Sequence, residues 1–377
     1  NIKNGSLDGM IEKSTDECLK VLNSKTGIVV PTYEDEGLIW HNEFINQKNK
    51  LAKSFTLYFV PSLKCQMACS YCFENGTNRS IILNEAKQER LLGWINQYLA
   101  KHNEIKIFRF VLFGGEPLLH LDLIHQFTLK LMKLLKLFEK DFFGEILTNG
   151  ERLNKDAISY LREFEFKRVQ ITLDGAKEIH DRRRYLAKGK KPTYETILEN
   201  VSNLLNEGFL SRVSIRVSFD NWTSESVQSL FDDLASRFPA DRIELSLGLI
   251  TPTLSEPKSE VRTKKLAESA VATWSYAKAK GFRIPKDFMV GPWCVAVAKH
   301  SVAVQPDGSL HKCFCTSGKH GYSFSDLEDP PVKDCYDPDF KDTSRVKSCI
   351  ECECPFLPIC GGGCYYDGIV RKGQKSG

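Results

Sequence analysis

A partial (β/α)6 barrel of the TIM type, followed by a small, cysteine-rich C-terminal domain, is the fold class this sequence predicts. Three observations predict it. Between residues 54 and 255, six apolar, β-branched-rich runs alternate with longer segments whose apolar residues recur at helical spacing. Six such units fall short of the eight that close a barrel. Towards the end the composition changes, and nine of the thirteen cysteines lie between Cys294 and Cys364.

The elements follow in order. Residues 1–53 are a short N-terminal extension with a helical patch around 16–22 and a strand pattern at 27–30. The solitary Cys18 reads as a small packing residue. Strand runs stand at 55–60, 107–113, 144–148, 168–173, 213–219 and 243–249, and helical spacing at 89–99, 121–137, 153–164, 194–205 and 224–238. Strand and helix in alternation argue for right-handed crossovers and a parallel sheet. The predicted boundaries are an extension at 1–53, a barrel at 54–255, a helical linker at 256–290 and a cysteine-rich domain at 291–377.

Composition narrows the function classes. A net charge of +4 on 377 residues points to neither nucleic acid nor a membrane surface. No apolar run reaches the ~18 residues of a membrane span. The start, Asn1-Ile2-Lys3-Asn4-Gly5, is polar and carries neither a secretory signal nor a starting methionine, so the chain is expected to begin inside a longer one. Clustered cysteines in a chain of this size read as metal ligands in a reducing cytoplasm rather than as disulfides.

The cysteine loop after the first strand carries the chemistry. Cys65, Cys69 and Cys72 stand at spacing C-x3-C-x2-C. Three thiolates on one loop can hold three irons of a cubane cluster and leave the fourth iron open to a small molecule. The competing readings are zinc, which lacks a local fourth ligand here, and a disulfide loop. One βα unit later comes Phe113-Gly114-Gly115-Glu116-Pro117, whose glycines let backbone approach a ligand closely.

Taken in order, these two motifs, with Tyr71 just before the third cysteine, resemble the signature of the radical S-adenosylmethionine (SAM) family. The resemblance implies a 4Fe-4S cluster on Cys65, Cys69 and Cys72. It further implies SAM bound through its amino and carboxylate groups, and cleavage to a 5′-deoxyadenosyl radical that abstracts hydrogen from a substrate. Implied SAM contacts are Tyr71, Phe73, Gly114, Gly115, Glu116, Thr148 and Asn149. Thr172 stands where relatives often have a ribose-bonding serine. His180-Asp181-Arg182-Arg183-Arg184 matches an HD-x-x-R pattern of peptide-modifying members and adds Arg184. Asp174 is either a SAM contact or a loop cap. Arg216 is either a partner of the SAM carboxylate or one half of an ion pair inside the barrel.

The C-terminal cysteines resemble the SPASM extension of the family, which holds two auxiliary 4Fe-4S clusters, three clusters in all. A hairpin turning at Asp307-Gly308 is expected within it, and a zinc ribbon is the competing reading. Carried over residue by residue, one auxiliary cluster takes Cys294, Cys313 and Cys364, with Cys315 completing it or the fourth iron left open for a substrate thiol. The other takes Cys354 and Cys360, completed by Cys349 and Cys352. Cys335 is a further ligand or a packing residue. The pattern departs from the family at Glu351, which replaces a cysteine, and no cysteine follows Cys364.

The function this implies is modification of a peptide: a thioether, another crosslink or an inverted stereocentre, as in maturases of ribosomal peptides. The alternatives are a sulfatase-maturating or small-molecule radical SAM dehydrogenase, and a non-catalytic iron-sulfur or zinc protein. The partners implied are a peptide or protein substrate with a leader sequence and an electron donor such as flavodoxin or ferredoxin, with no nucleic acid and no membrane. Basic residues at Arg182–Arg184 and Lys188-Gly189-Lys190-Lys191 can attract an acidic leader, or simply be a solvated loop. The leading residues are too few for a complete leader-binding winged helix.

Overall fold

Each of the first strands returns to the sheet through a helix, so all six run parallel. The computed structural model describes residues 52–74, 77–220, 226–250, 264–284, 294–335, 348–349, 351–352, 363–364 and 366. The N-terminal extension, Cys18 and most of the linker lie outside these residues. The units are β1 (Ser54–Phe59), α1 (Glu85–Lys101), β2 (Ile107–Leu112), α2 (Leu121–Leu137), β3 (Asp141–Thr148), α3 (Lys155–Glu163), β4 (Arg168–Leu173), α4 (Lys177–Arg183), α5 (Tyr194–Asn206), β5 (Val213–Phe219), α6 (Val227–Arg237), β6 (Ile243–Leu249) and α7 (Lys264–Ala279). Strand order in the sheet is chain order, β6 to β1, the order of a wound barrel. β6 does not pair with β1, so the barrel is open.

Local chemistry sets most bounds. Asn84 and Asn154 accept backbone N–H groups at the starts of α1 and α3, which fixes where each helix begins. On α2 the buried residues Ile124, Phe127, Thr128, Leu131 and Leu135 form one stripe. β3 begins three residues before the run at Gly144 that marks it in the sequence. Asp141, Phe142 and Phe143 pair there with β2, and the pairing partner overrides the weak pattern.

Between sheet and helices lies an aromatic layer. Phe55 stacks on Phe108 at 5.1 Å, and Phe59 on Phe127 at 4.4 Å between ring centroids. The concave face is polar at the N-terminal end of the strands. Arg109 meets Glu145, Glu145 meets Arg168, and Arg168 meets Glu244, at 3.3–3.4 Å. This chain of alternating charge plugs the bottom of the barrel and leaves the C-terminal end for ligands, where parallel α/β folds put their sites.

The expected hairpin is present as β7 (Ser301–Val304) and β8 (Ser309–His311), followed by β9 (Ser323–Asp326). Gly308 takes φ +98° in the turn, and the Asp307 carboxylate accepts from Ser309 N. Its partner strand was not foreseen. β7 lies parallel against β1, from Thr56 opposite Ser301 to Phe59 opposite Val304, so the C-terminal hairpin continues the barrel sheet. Among the described residues no helix is long and apolar enough to cross a membrane.

Candidate active site

The cysteine loop leaves β1 and is pinned by its neighbours. Ala68 N donates to Tyr185 O, and Ala187 N to Gln66 O. The Gly-Gly pair lies against its backbone: a Cβ on Gly115 would stand 2.4 Å from Leu63 O and Lys64 O, one on Gly114 2.5 Å from Ser62 O. Gly115 N donates to Ser62 O and Glu116 N to Lys64 O. The glycines therefore admit the cysteine loop itself, and these two amides are spent on protein carbonyls. No disulfide joins Cys65, Cys69 and Cys72. Burial pushes the Cys65 thiol up to about 12, helped by Glu116 and the two other thiols. Arg184 and Arg79 act on Cys69 in the opposite sense.

Glu116 is fully buried and satisfied. Its carboxylate accepts from Leu118 N, from the Thr148 hydroxyl at 2.8 and 2.9 Å, and from Asn149 N at 2.8 Å. Burial raises its pKa to about 7 against these donors. Glu116 thus joins the loops after β2 and β3. Thr148 is engaged in the same bond, whereas Asn149 turns its amide to Cys65 Sγ at 3.7 Å. Gln66, unforeseen in the sequence, bridges Asn149 and Glu151 from the cysteine loop.

Tyr71 carries the second set of ties. Its hydroxyl donates to Asp174 Oδ1 at 2.8 Å, accepts from Arg184 Nη1 at 2.6 Å and meets Ser218 Oγ at 3.2 Å. Arg183 lies 4.9 Å over its ring and grips Asp220 with three hydrogen bonds of 3.0–3.2 Å. In the HD-x-x-R segment His180 receives Asp174 N, and Asp181 receives the amides of Thr193 and Tyr194. Tyr71, Asp174 and Arg184 together anchor the cysteine loop to the ends of β4 and β5.

Three polar residues share one face beside this network. Thr172, Arg216 and Ser246 are cross-strand neighbours on β4, β5 and β6. The Ser246 hydroxyl is buried without a partner. Arg216 makes no ion pair or hydrogen bond among the described residues, so the ion pair considered for it is absent there; burial lowers its pKa. Its guanidinium lies over Gly248, where a Cβ would stand 2.1 Å from Cζ. Only glycine leaves room for it.

The C-terminal thiols stand at the same mouth. Cys313 is bonded to Cys315, and the charges of Cys313 and Cys364 act on Cys294. All of these but Cys294 act on Tyr366. Cys315 therefore stands beside Cys313, within reach of the same tyrosine as Cys364. Phe314 packs on Phe113 at 5.0 Å, and Phe113 on Phe73 at 6.3 Å, which joins the two thiol groups through one aromatic wall. Lys319 bonds Tyr366 Oη at 2.6 Å and lies 5.7 Å over Phe73. Sequence reasoning missed Phe314 and Lys319; the one signal was their position among the cysteines. Cys335 does not join this group: it is 2% exposed in the main core and bonded to Tyr98, the packing alternative. Cys349 and Cys352 are adjacent, with Cys352 Sγ 3.5 Å from Cys349 O, whereas Cys354 and Cys360 lie outside the described residues.

These residues fit the implied groups. Three thiols flanked by Arg79, Arg184 and Lys319 suit an anionic thiolate-held cluster. The row of Thr172, Arg216 and Ser246, with the Ser246 hydroxyl unpartnered, suits a polar, carboxylate-bearing ligand beside it.

Residues 59–234 match the family model for the Radical SAM superfamily. A 156-residue stretch is 33% identical to the cysteine-type anaerobic sulfatase-maturating enzyme of Clostridium novyi (strain NT), over 40% of this chain and 41% of that protein. A 197-residue stretch is 27% identical to the probable GTP 3′,8-cyclase of Methanopyrus kandleri, over 52% of this chain and 56% of that protein. The chain thus spans well under two thirds of these curated relatives. Among solved structures, native anSMEcpe with bound AdoMet and Kp18Cys peptide superposes with a TM-score of 0.66 at 19% identity, over 86% of this chain and 92% of that one. Streptococcus suis SuiB bound to precursor peptide SuiA does so with 0.61 at 16% identity, over 96% and 86%. At these identities the likeness is one of fold.

Proposed function

From the premise that this chain carries a radical SAM domain, we propose that it is a peptide-modifying enzyme with auxiliary iron-sulfur clusters. Cys65, Cys69 and Cys72 hold the SAM-binding cluster, and Cys294, Cys313, Cys315 and Cys364 an auxiliary one. A second auxiliary cluster falls to Cys349, Cys352, Cys354 and Cys360. When bound, SAM and its cluster supply a 5′-deoxyadenosyl radical once a donor such as flavodoxin or ferredoxin delivers an electron in the cytoplasm.

The chain's own residues do the rest. Arg216 receives a carboxylate, and Thr172 and Ser246 offer hydroxyls to the same ligand. Glu116 and Tyr71 keep the cysteine loop in place. The observation that carries the reading is the wall of Phe73, Phe113 and Phe314, which sets both thiol groups on one cleft. Closing a bond at a substrate radical releases an electron, and a thiol-held acceptor beside the cleft suits that need. Two relatives of the same fold carry peptides in their structures, which supports an open cleft taking a peptide with a leader.

The second reading, a sulfatase-maturating type of enzyme, is favoured by the 33% identity over 156 residues. One experiment tests both. Reconstituted protein, reductant and SAM are incubated with a sulfatase peptide or with short peptides encoded nearby. Release of 5′-deoxyadenosine with two-electron oxidation of a cysteine of the sulfatase peptide, its sulfur lost as sulfide on hydrolysis, selects the second reading. A crosslink or inverted centre in a neighbouring peptide selects the first. Absence of 5′-deoxyadenosine sinks both.

A further inference from the structure

At the opposite end of the strands, three residues stand together that the reaction does not use. His102 caps the end of α1, Glu104 lies on the turn into β2, and His300 immediately precedes β7. One ring nitrogen of each histidine and one Glu104 carboxylate oxygen all lie within 4.8 Å of one another. His300 is fully buried and His102 is 8% exposed. Each has an Nε2 with no hydrogen-bond partner.

Their surroundings favour a cation. His102 Nδ1 is 3.0 Å from Glu104 Oε1. His300 Nε2 points at the same oxygen at 3.4 Å without hydrogen-bond geometry. On its other side His300 Nδ1 meets Tyr98 Oη at 2.7 Å, and Tyr98 is bonded to Cys335. A proton on Nδ1 given to the phenol, whose own proton goes to sulfur, leaves Nε2 a bare lone pair, the second-shell arrangement of metal-binding histidines. Burial, with Lys299 and His102, holds His300 near a pKa of about 4, so the ring is neutral at physiological pH. Burial opposes the charge on Glu104, but its own amide, His102 and Lys299 outweigh it and hold the pKa at about 2.

We propose that His102, Glu104 and His300 form a structural site for one divalent transition-metal ion, zinc foremost, which ties the C-terminal hairpin to the first βα unit of the barrel. Two imidazoles and a carboxylate suit zinc, with a solvent molecule as fourth ligand on the exposed side of Glu104. Tetrahedral coordination sets ligand atoms roughly 3.4 Å apart, so the longest separation must shrink, and exposed Glu104 is the group able to move. Lys299 competes for the site: its ammonium is 3.4 Å from Glu104 and equally 3.4 Å from Asp334. Metal binding turns it to Asp334.

The test uses the full chain after iron-sulfur reconstitution, so that the thiols are occupied. It is washed with chelator, offered zinc, desalted and assayed for zinc and iron. Wild type should retain about one zinc per chain more than Glu104→Gln, with equal iron and equal 5′-deoxyadenosine release. Affinity should fall at least about tenfold in the variant. Zinc at a hundredfold excess over Kd should raise the wild-type melting temperature by roughly 3 °C and leave the variant unchanged. His300→Gln should match Glu104→Gln; because His300 is buried, the exposed Glu104 variant decides if His300→Gln does not fold. Equal zinc in wild type and Glu104→Gln, or none in wild type, overturns the proposal.

Discussion

Phe314 stacks on Tyr58 with ring centroids 5.0 Å apart and planes 22° from parallel. Tyr58 is a barrel strand residue, whereas Phe314 sits between two C-terminal thiols. The contact ties the auxiliary thiols to the wall of the cleft. Phe314→Ala should cost about 2–3 kcal/mol, below the full core value because the ring is half-exposed. It should also uncouple the reaction, with 5′-deoxyadenosine still formed but less peptide modified per turnover. Phe314→Tyr should restore the ratio. An unchanged ratio in the alanine variant would mean that this contact only stabilises the fold.

Replacing Cys65, Cys69 and Cys72 with alanine should abolish SAM cleavage. The reconstituted wild type should hold about twelve irons and the triple variant about eight, one cubane fewer. Zinc bound at the thiols in place of iron would contradict the assignment.

Arg216→Met separates a ligand-binding arginine from a structural one. A largely buried guanidinium with no ion pair among the described residues costs stability, so its removal should leave the unfolding midpoint level or higher. SAM or substrate binding should weaken by about 2–5 kcal/mol, the usual loss when a buried charged contact is removed. A clear fall in stability with unchanged affinity would refute the role.

Glu116→Gln places an amide donor where three donors converge. One of them loses its acceptor, at a cost of about 1–3 kcal/mol. Because the loop after β3 shifts as a unit, KM for SAM should rise more than kcat falls. Equal stability and kinetics would show that another group holds the loop.

His180 makes the loop acid-sensitive. It is fully buried, and burial, then Arg184, hold its pKa well below the usual 6.5. The unfolded chain therefore takes up the proton first as pH falls. Stability from the neutral ring is complete above about 6.5 and is lost below it at about 1.4 kcal/mol per unit until the folded pKa is reached. Urea midpoints at about pH 7.5 and 5.5 should differ less in His180→Gln than in wild type; an equal drop in both would exclude His180 as the cause.

The sequence displays what is local and repeats. The six strands and their helices are visible because apolar residues recur at fixed spacing, and the thiol loop because three cysteines share eight positions, 65 to 72. Long-range partners leave no such trace. Nothing in the run Ser301–Val304 announces that it pairs with β1, and nothing near Tyr71 announces Asp174, a hundred residues away. The same limit explains Glu116. Its motif marks a ligand loop, yet whether a carboxylate meets ligand or protein depends on which amides fold against it. Similarly, His102, Glu104 and His300 are unremarkable until the fold brings them together.

The ladder between β1 and β7 has a mechanical meaning. A C-terminal region joined to a barrel by loops alone can swing on a hinge, and the gap between its thiols and those of the barrel would then breathe with each turnover. Here four consecutive residue pairs, Thr56–Ser301 to Phe59–Val304, lock the two together like adjoining staves. If both groups of thiols hold clusters, as proposed above, this ladder of backbone hydrogen bonds holds the spacing between them constant.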